Sequence, residues 1–275
     1  MSPKIVNDIC KLTLRRGKYV KSHLIPQAFT RPSVAGEYFI SGGEGSRPKR
    51  NWTSWYDHQL VTRQGERILE EYDNWAIAEL RRLKLVWSGW RNKTSLELEN
   101  WKGDPPRGYG IRHIECKNPD MLRLFFLSLL WRAAATTIPE FHAVELHSTD
   151  LERLRIMMLN RDPYPLDFYP TSLLQIITRG PSHNLGPVVK DFGGGDSGQE
   201  RIRTFRYYFD GLVVHMYHNL AVGKLGTHCI GFARTLSVRT QTWEDSFQFA
   251  NMKQHIVEGT LQWPEVIRKL TTASK

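Results

Sequence analysis

The stretch Asn118-Pro119 followed by "DMLRLFFLSLLWRAAAT" constrains this chain more than any other. An asparagine before a proline is a helix start: the asparagine caps, and proline's fixed φ suits the first helical position. The helix that follows is apolar nearly all round, so its place is the centre of the fold. Arg123 and Arg132 interrupt the apolar run, which falls short of the ~20 residues needed to span a bilayer. The expectation is a core helix in a soluble, cytoplasmic protein with no membrane partner. The opening "MSPKIVNDICKLTLRRGK" has no apolar segment of signal-peptide type. Cys10, Cys116 and Cys229 are odd in number and far apart, which suits a reducing compartment rather than a disulfide framework.

A chain of 275 residues with nine Trp can bury a real core, and so many aromatics argue against disorder. Its net charge of +10 favours polyanionic partners. Residues 1–50 hold ten Lys or Arg against Asp8, Glu37 and Glu44, so seven of the ten net charges lie there.

Residues 10–22 read as a hairpin, "KLTLRR" and "KYVKS" alternating around Gly17. Ser41–Asn51 is a loop by composition. From Glu66, Leu69, Tyr72, Ala76, Leu80, Leu83 and Trp87 recur at helical spacing, while Glu66, Glu70 and Asp73 share another face. A third helix is predicted from Thr149, with Glu152 completing a capping box. The tail from Arg203 is strand-like, with Asp210-Gly211 as a tight turn. The Gly- and Pro-rich interval 91–117 reads as a linker between an N-terminal region, 1–90, and a C-terminal one, 118–275.

"KYVKSHLIPQAF" sets His23 at the end of a strand, after basic residues and before a proline. A one-metal ββα nuclease needs a histidine to polarise water and a divalent ion held by carboxylate, Asn or His groups. His23 supplies the first. Asp57, His58 and Glu66, preceding or opening a helix, are candidates for the second. Lys18, Lys21, Arg31, Arg47, Lys49 and Arg50 are candidate phosphate contacts.

"CKLT…VKSHLIP" followed by "WYDHQLVTRQGERILEEYDNWA" resembles bacterial HNH-endonuclease-like proteins over about residues 10–80. The resemblance implies an α+β fold in which a ββα module joins a larger helical and antiparallel-β domain. It also implies nucleic acid as partner, DNA ahead of RNA, and Mg²⁺ or Mn²⁺ as cofactor. His23 would be the general base, Asp57 and Glu66 metal ligands, and the setting bacterial or phage conflict and antiviral defence. Four cysteines bind structural zinc in that family. Here Cys10 matches the first, whereas Thr13, Thr62 and Gly65 stand at the other three, so no structural zinc is expected. Packing by Trp52, Trp55, Tyr56, Tyr72 and Trp75 is expected to replace it. The non-enzymatic alternative is an inactive scaffold that binds a protein partner or forms a homo-oligomer through its C-terminal domain.

Other motifs fail on chemistry. "GGGDSG" (193–198) is followed by Gln199 and lacks a matching upstream histidine. His215 and His218 fall on opposite faces of a strand. His142 and His147 have no third ligand at a recognisable spacing. Adjacent His228 and Cys229 point apart.

Overall fold

A computed structural model describes residues 8–30, 39–41, 49–52, 54–96, 101–104, 108–181, 186–192 and 201–272. The Asn118 side chain caps its helix as expected, accepting from the Met121 N–H at 3.0 Å, and helix α2 runs Pro119–Ala135. Every residue from Leu122 to Ala133 is buried. Such a helix needs cover on all sides, and gets it from three elements. Helices α1 (Arg63–Arg82) and α3 (Ser148–Asn160) flank it. A seven-stranded sheet closes the third side.

The sheet is built from β5 (Trp101–Asp104), β6 (Tyr109–Glu115), β7 (Thr171–Ile176), β8 (Val188–Phe192), β9 (Ile202–Phe209), β10 (Leu212–His218) and β11 (Thr235–Gln241). Its order is β5-β6-β11-β7-β10-β9-β8, and all pairs are antiparallel except β11 with β7. Alternation sorts the strands by face. Phe205, Tyr207, Phe209, Leu212, Val214 and Met216 turn toward α2 and share one core with Leu24, Leu60, Leu69 and Ala76 of the N-terminal region. The architecture is α+β. Two short antiparallel pairs complete it: β1 (Ser22–His23) with β4 (Tyr56–Asp57), and β2 (Phe39–Ser41) with β3 (Lys49–Asn51). Helices α4 (Phe247–Gln262) and α5 (Pro264–Thr272) follow the sheet. Among the described residues no helix is long and apolar enough to cross a membrane.

Three sequence expectations need correction. Residues 91–117 are no linker: they supply β5 and β6, and the core runs unbroken from Cys10 to Val238 across that interval. Their glycines allow close approach, since a Cβ on Gly103 would lie 2.1 Å from the Tyr109 carbonyl oxygen. The 10–22 hairpin does not form either. Leu14 adopts φ +56°, which folds 10–15 into a tight turn, and Tyr19 and Val20 pair instead with Thr62 and Val61. Finally, α3 begins one residue early, with His147 Nδ1 rather than a Thr149 side chain as cap, and Glu152 pairs with Arg155.

The Asp210-Gly211 turn is as expected, with φ +49° and +79° joining β9 to β10. It also clips the two halves of the chain together. The Asp210 carbonyl accepts from the Trp87 N–H and its carboxylate from the Ser88 N–H, while Trp87 Nε1 donates to the Ile176 carbonyl. A Cβ on Gly211 would meet Trp87 Nε1 at 2.2 Å.

Burial pushes the Asp210 carboxyl up to about 6, against the opposing pull of the Ser88 hydrogen bonds and the Arg81 and Arg179 charges. Unfolded, this group ionises near its ordinary value of 3.8. The unfolded chain therefore loses its proton first as pH rises. The group's neutral-state advantage is complete below about pH 4 and is gone above about pH 6, a loss on the order of 3 kcal/mol. Asn tolerates the left-handed backbone here. In denaturant titrations, Asp210→Asn should gain on wild type by about that amount between pH 4 and 7. Parallel pH profiles for the two proteins would contradict the assignment.

Candidate functional site

The residues singled out by sequence gather around β1, β4 and the first turn of α1. Pro26, which lacks an N–H, follows β1. Antiparallel pairing sets Ser22 opposite Asp57 and His23 opposite Tyr56. Opposite residues share a face, so the pair has two chemically different sides.

The outer side carries Lys21, His23, Tyr56 and His58. Lys21 Nζ lies 3.8 Å from the Tyr56 ring centroid, and both His23 and His58 meet that ring edge-on. Tyr56, His58 and Lys21 are exposed. The inner side carries Ser22 and Asp57, both buried. Both oxygens of Asp57 are engaged: Oδ1 accepts from the Gln59 N–H at 2.7 Å and Oδ2 from the Thr136 hydroxyl at 2.7 Å. That second bond ties β4 to the end of α2.

Glu66 opens α1 on this inner side. Burial raises its carboxyl pKa, opposed by the neighbouring Ser22 hydroxyl and the Arg132 charge. Its Oε2 is shielded from solvent and has no hydrogen-bond partner among the described residues. Arg132, read in the sequence only as a break in an apolar run, is the residue that organises this interior. It is 1% exposed, donates to the His23 carbonyl at 3.1 Å, and holds both oxygens of Asp73 at 3.0 and 2.6 Å.

The divalent-metal expectation therefore finds a poor donor set. Both Asp57 oxygens are engaged, His23 projects to the other side of the β1–β4 pair, and a guanidinium lies within electrostatic reach of Glu66. Among the described residues no three His, Cys, Asp or Glu side chains come together to hold a metal ion. With a period of two His23 and Ser22 face opposite ways, but it is the β1–β4 register, hidden from the sequence, that sets Asp57 on the Ser22 side.

The four positions that correspond to zinc ligands in the resemblance do converge. The Thr13 N–H donates to Cys10 Sγ at 3.4 Å, and a Cβ on Gly65 would lie 2.6 Å from the same sulfur. Burial disfavours the Cys10 thiolate, but hydrogen bonds from Thr13 and Thr62 outweigh it and lower the pKa. Cys10 is fully buried with Leu12, Leu60 and Val61 in the core. The expected aromatic replacement is only partly formed. Tyr72 is buried and donates to the Met158 carbonyl, and Trp55 packs edge-on against Phe141. Trp52 and Tyr56 instead stand exposed.

Of the candidate phosphate contacts, Lys18 and Lys21 are exposed on this N-terminal surface. Lys49 and Arg50 lie in β3, and Arg31, Arg47 and the 193–198 glycine-rich stretch fall outside the described residues. Comparison with family models, with curated proteins and with solved structures found no match to this chain.

Proposed function

We propose that this chain binds nucleic acid without hydrolysing it, and that its HNH-like N-terminal region serves as a scaffold. The observation that carries the non-catalytic reading is Arg132. It stands in the interior where a metal would have to meet both the His23 strand and the Glu66 helix. A guanidinium there disfavours a divalent cation by like-charge repulsion. Convergence of Cys10, Thr13, Thr62 and Gly65 on one sulfur supports the resemblance to HNH-like proteins, with the staple replaced by close packing. The binding half of the proposal rests on the net charge of +10.

Fluorescence anisotropy with labelled oligonucleotides should show binding at low salt that weakens steeply as salt rises. Plasmid DNA and RNA incubated with the protein and Mg²⁺ or Mn²⁺ should stay intact. Metal-dependent cleavage that His23→Ala abolishes would restore the nuclease. Absence of binding at low salt would remove nucleic acid as the partner.

A further inference from the structure

The seven-stranded sheet has a second face, turned away from α2. Trp87, Trp90, Trp243 and Tyr208 cover one end of it together with Val213 and Ile176. The remainder is polar and cationic. Arg206 stands opposite His215, which stands opposite Ser172. In the next row Lys190 stands opposite Thr204, and Thr204 opposite Tyr217. Arg239 joins them from β11, its guanidinium 3.5 Å from the Tyr217 hydroxyl, which in turn lies 3.1 Å from Ser172 Oγ. These positions alternate with Phe205, Tyr207, Val214 and Met216 of the core, which fixes the face they share.

Among the described residues none of Lys190, Arg206 and Arg239 forms an ion pair with a carboxylate. Lys190 and Arg206 instead lie on the Phe247 ring, each 4.2 Å from its centroid. Arg206 Nη2, His215 Nδ1 and Thr204 Oγ1 are shielded from solvent without a hydrogen-bond partner among the described residues. Burial lowers the pKa of Lys190 and of Arg206. It also drives His215 down to about 3, with the Arg239 and Arg206 charges adding to the effect. Burial is the main reason that His215 stays neutral here, and the two arginines beside it act in the same direction.

We propose that this sheet face is where the chain holds nucleic acid, and that it takes a single strand. The inference rests on the nucleic-acid reading above but moves the binding surface from the N-terminal lysines to the sheet. Phosphodiester groups meet the solvent-reachable Lys190 and Arg239, while Arg206, shielded beside Phe247, adds to the positive potential from below. Tyr217, its ring stacked on His215 at 6.1 Å and 22°, offers a platform to an unpaired base. A duplex hides its base faces in the stack and cannot use that platform. Single-stranded DNA and RNA share this chemistry, and separate probes distinguish them.

The test uses the full chain with labelled dT15, rU15 and a 15-base-pair DNA duplex. The pair Lys190→Glu with Arg239→Glu should weaken binding to the single strands by about tenfold or more and flatten the salt dependence by about 0.7 per lost phosphate contact. Tyr217→Ala should weaken single-strand binding by at least about fivefold while leaving duplex binding within about twofold. Lys18→Glu with Lys21→Glu should change little. Arg239→Gln, at an exposed position, keeps the comparison valid should the double variant melt early. Loss of binding in the Lys18/Lys21 pair with the sheet variants unaffected would overturn the location. Preference for the duplex would overturn the single-strand assignment. Failure of wild type to bind any probe would instead overturn the nucleic-acid reading itself.

Discussion

Arg123→Met is expected to unfold the protein near physiological temperature. Arg123 is fully buried on α2, yet among the described residues no carboxylate pairs with it. Its guanidinium donates instead to five backbone carbonyls, those of Pro163, Pro165, Leu166, Phe168 and Tyr169. Burial lowers its pKa to about 10, which still leaves the cation intact at neutral pH. The segment 161–170 makes little regular backbone structure of its own. The Pro165 and Tyr169 carbonyls also accept from the Phe168 N–H and the Thr171 hydroxyl, so it is those of Pro163, Leu166 and Phe168 that depend on Arg123 beneath α2. Methionine preserves much of the packing volume and removes every donor. Each buried carbonyl left unsatisfied costs roughly 1–3 kcal/mol, and the sum approaches the whole of an ordinary stability of about 5–15 kcal/mol. Arg123→Lys restores one ammonium where a fork of five donors is required, so it should recover less than half of the loss. Urea denaturation of the three proteins measures this directly. An unfolding free energy for Arg123→Met within about 1 kcal/mol of wild type would show that water replaces the guanidinium without penalty.

That dependence shows where the sequence is legible and where it is not. The α2 cap, its all-round burial and the Asp210-Gly211 turn are local consequences of residue type, and the chain displays them openly. The α1 face is legible for the same reason, with Leu69, Tyr72, Ala76 and Leu80 buried at helical spacing. What stays hidden is long-range. Gly17 and the alternation around it suggested a local hairpin, yet the residues that pair with 19 and 20 lie some forty positions away, at 61 and 62. The Gly-rich 91–117 interval looked like a boundary because glycine marks both linkers and tightly paired edge strands. Arg123 and Arg132 looked like interruptions, since no pattern in α2 reveals that carbonyls from 163–169 and a carboxylate from α1 wait for them. The sheet's cationic face is more scattered still. Lys190, Arg206, His215, Tyr217 and Arg239 sit on four strands and meet only through register.

The second large effect follows from the Arg132–Asp73 pair, whose shorter contact is 2.6 Å, with side-chain exposures of 1% and 16%. The two partners are not equivalent. Asp73→Ala leaves a fully buried guanidinium hydrogen-bonded only to the uncharged His23 carbonyl and Ser128 hydroxyl among the described residues, with the Glu66 carboxyl near it but not bonded to it. Removing one side of such a pair costs about 3–5 kcal/mol. Arg132→Met leaves a carboxylate that can still reach water, so its cost should be smaller, about 1–3 kcal/mol, mostly from the orphaned His23 carbonyl. The double variant should be more stable than Asp73→Ala alone, because the buried charge that lost its hydrogen-bonded partner has gone. A double-mutant cycle by urea denaturation should give a coupling energy above about 1 kcal/mol. Additive losses would mean that the pair is solvated and that Arg132 does not hold the β1 strand to α1 through Asp73. The same cycle bears on function. If Arg132 is a structural cation filling the interior beside Glu66, then Arg132→Met should lower stability while leaving oligonucleotide affinity within about twofold, since the polyanion surface proposed above is on the far face of the sheet.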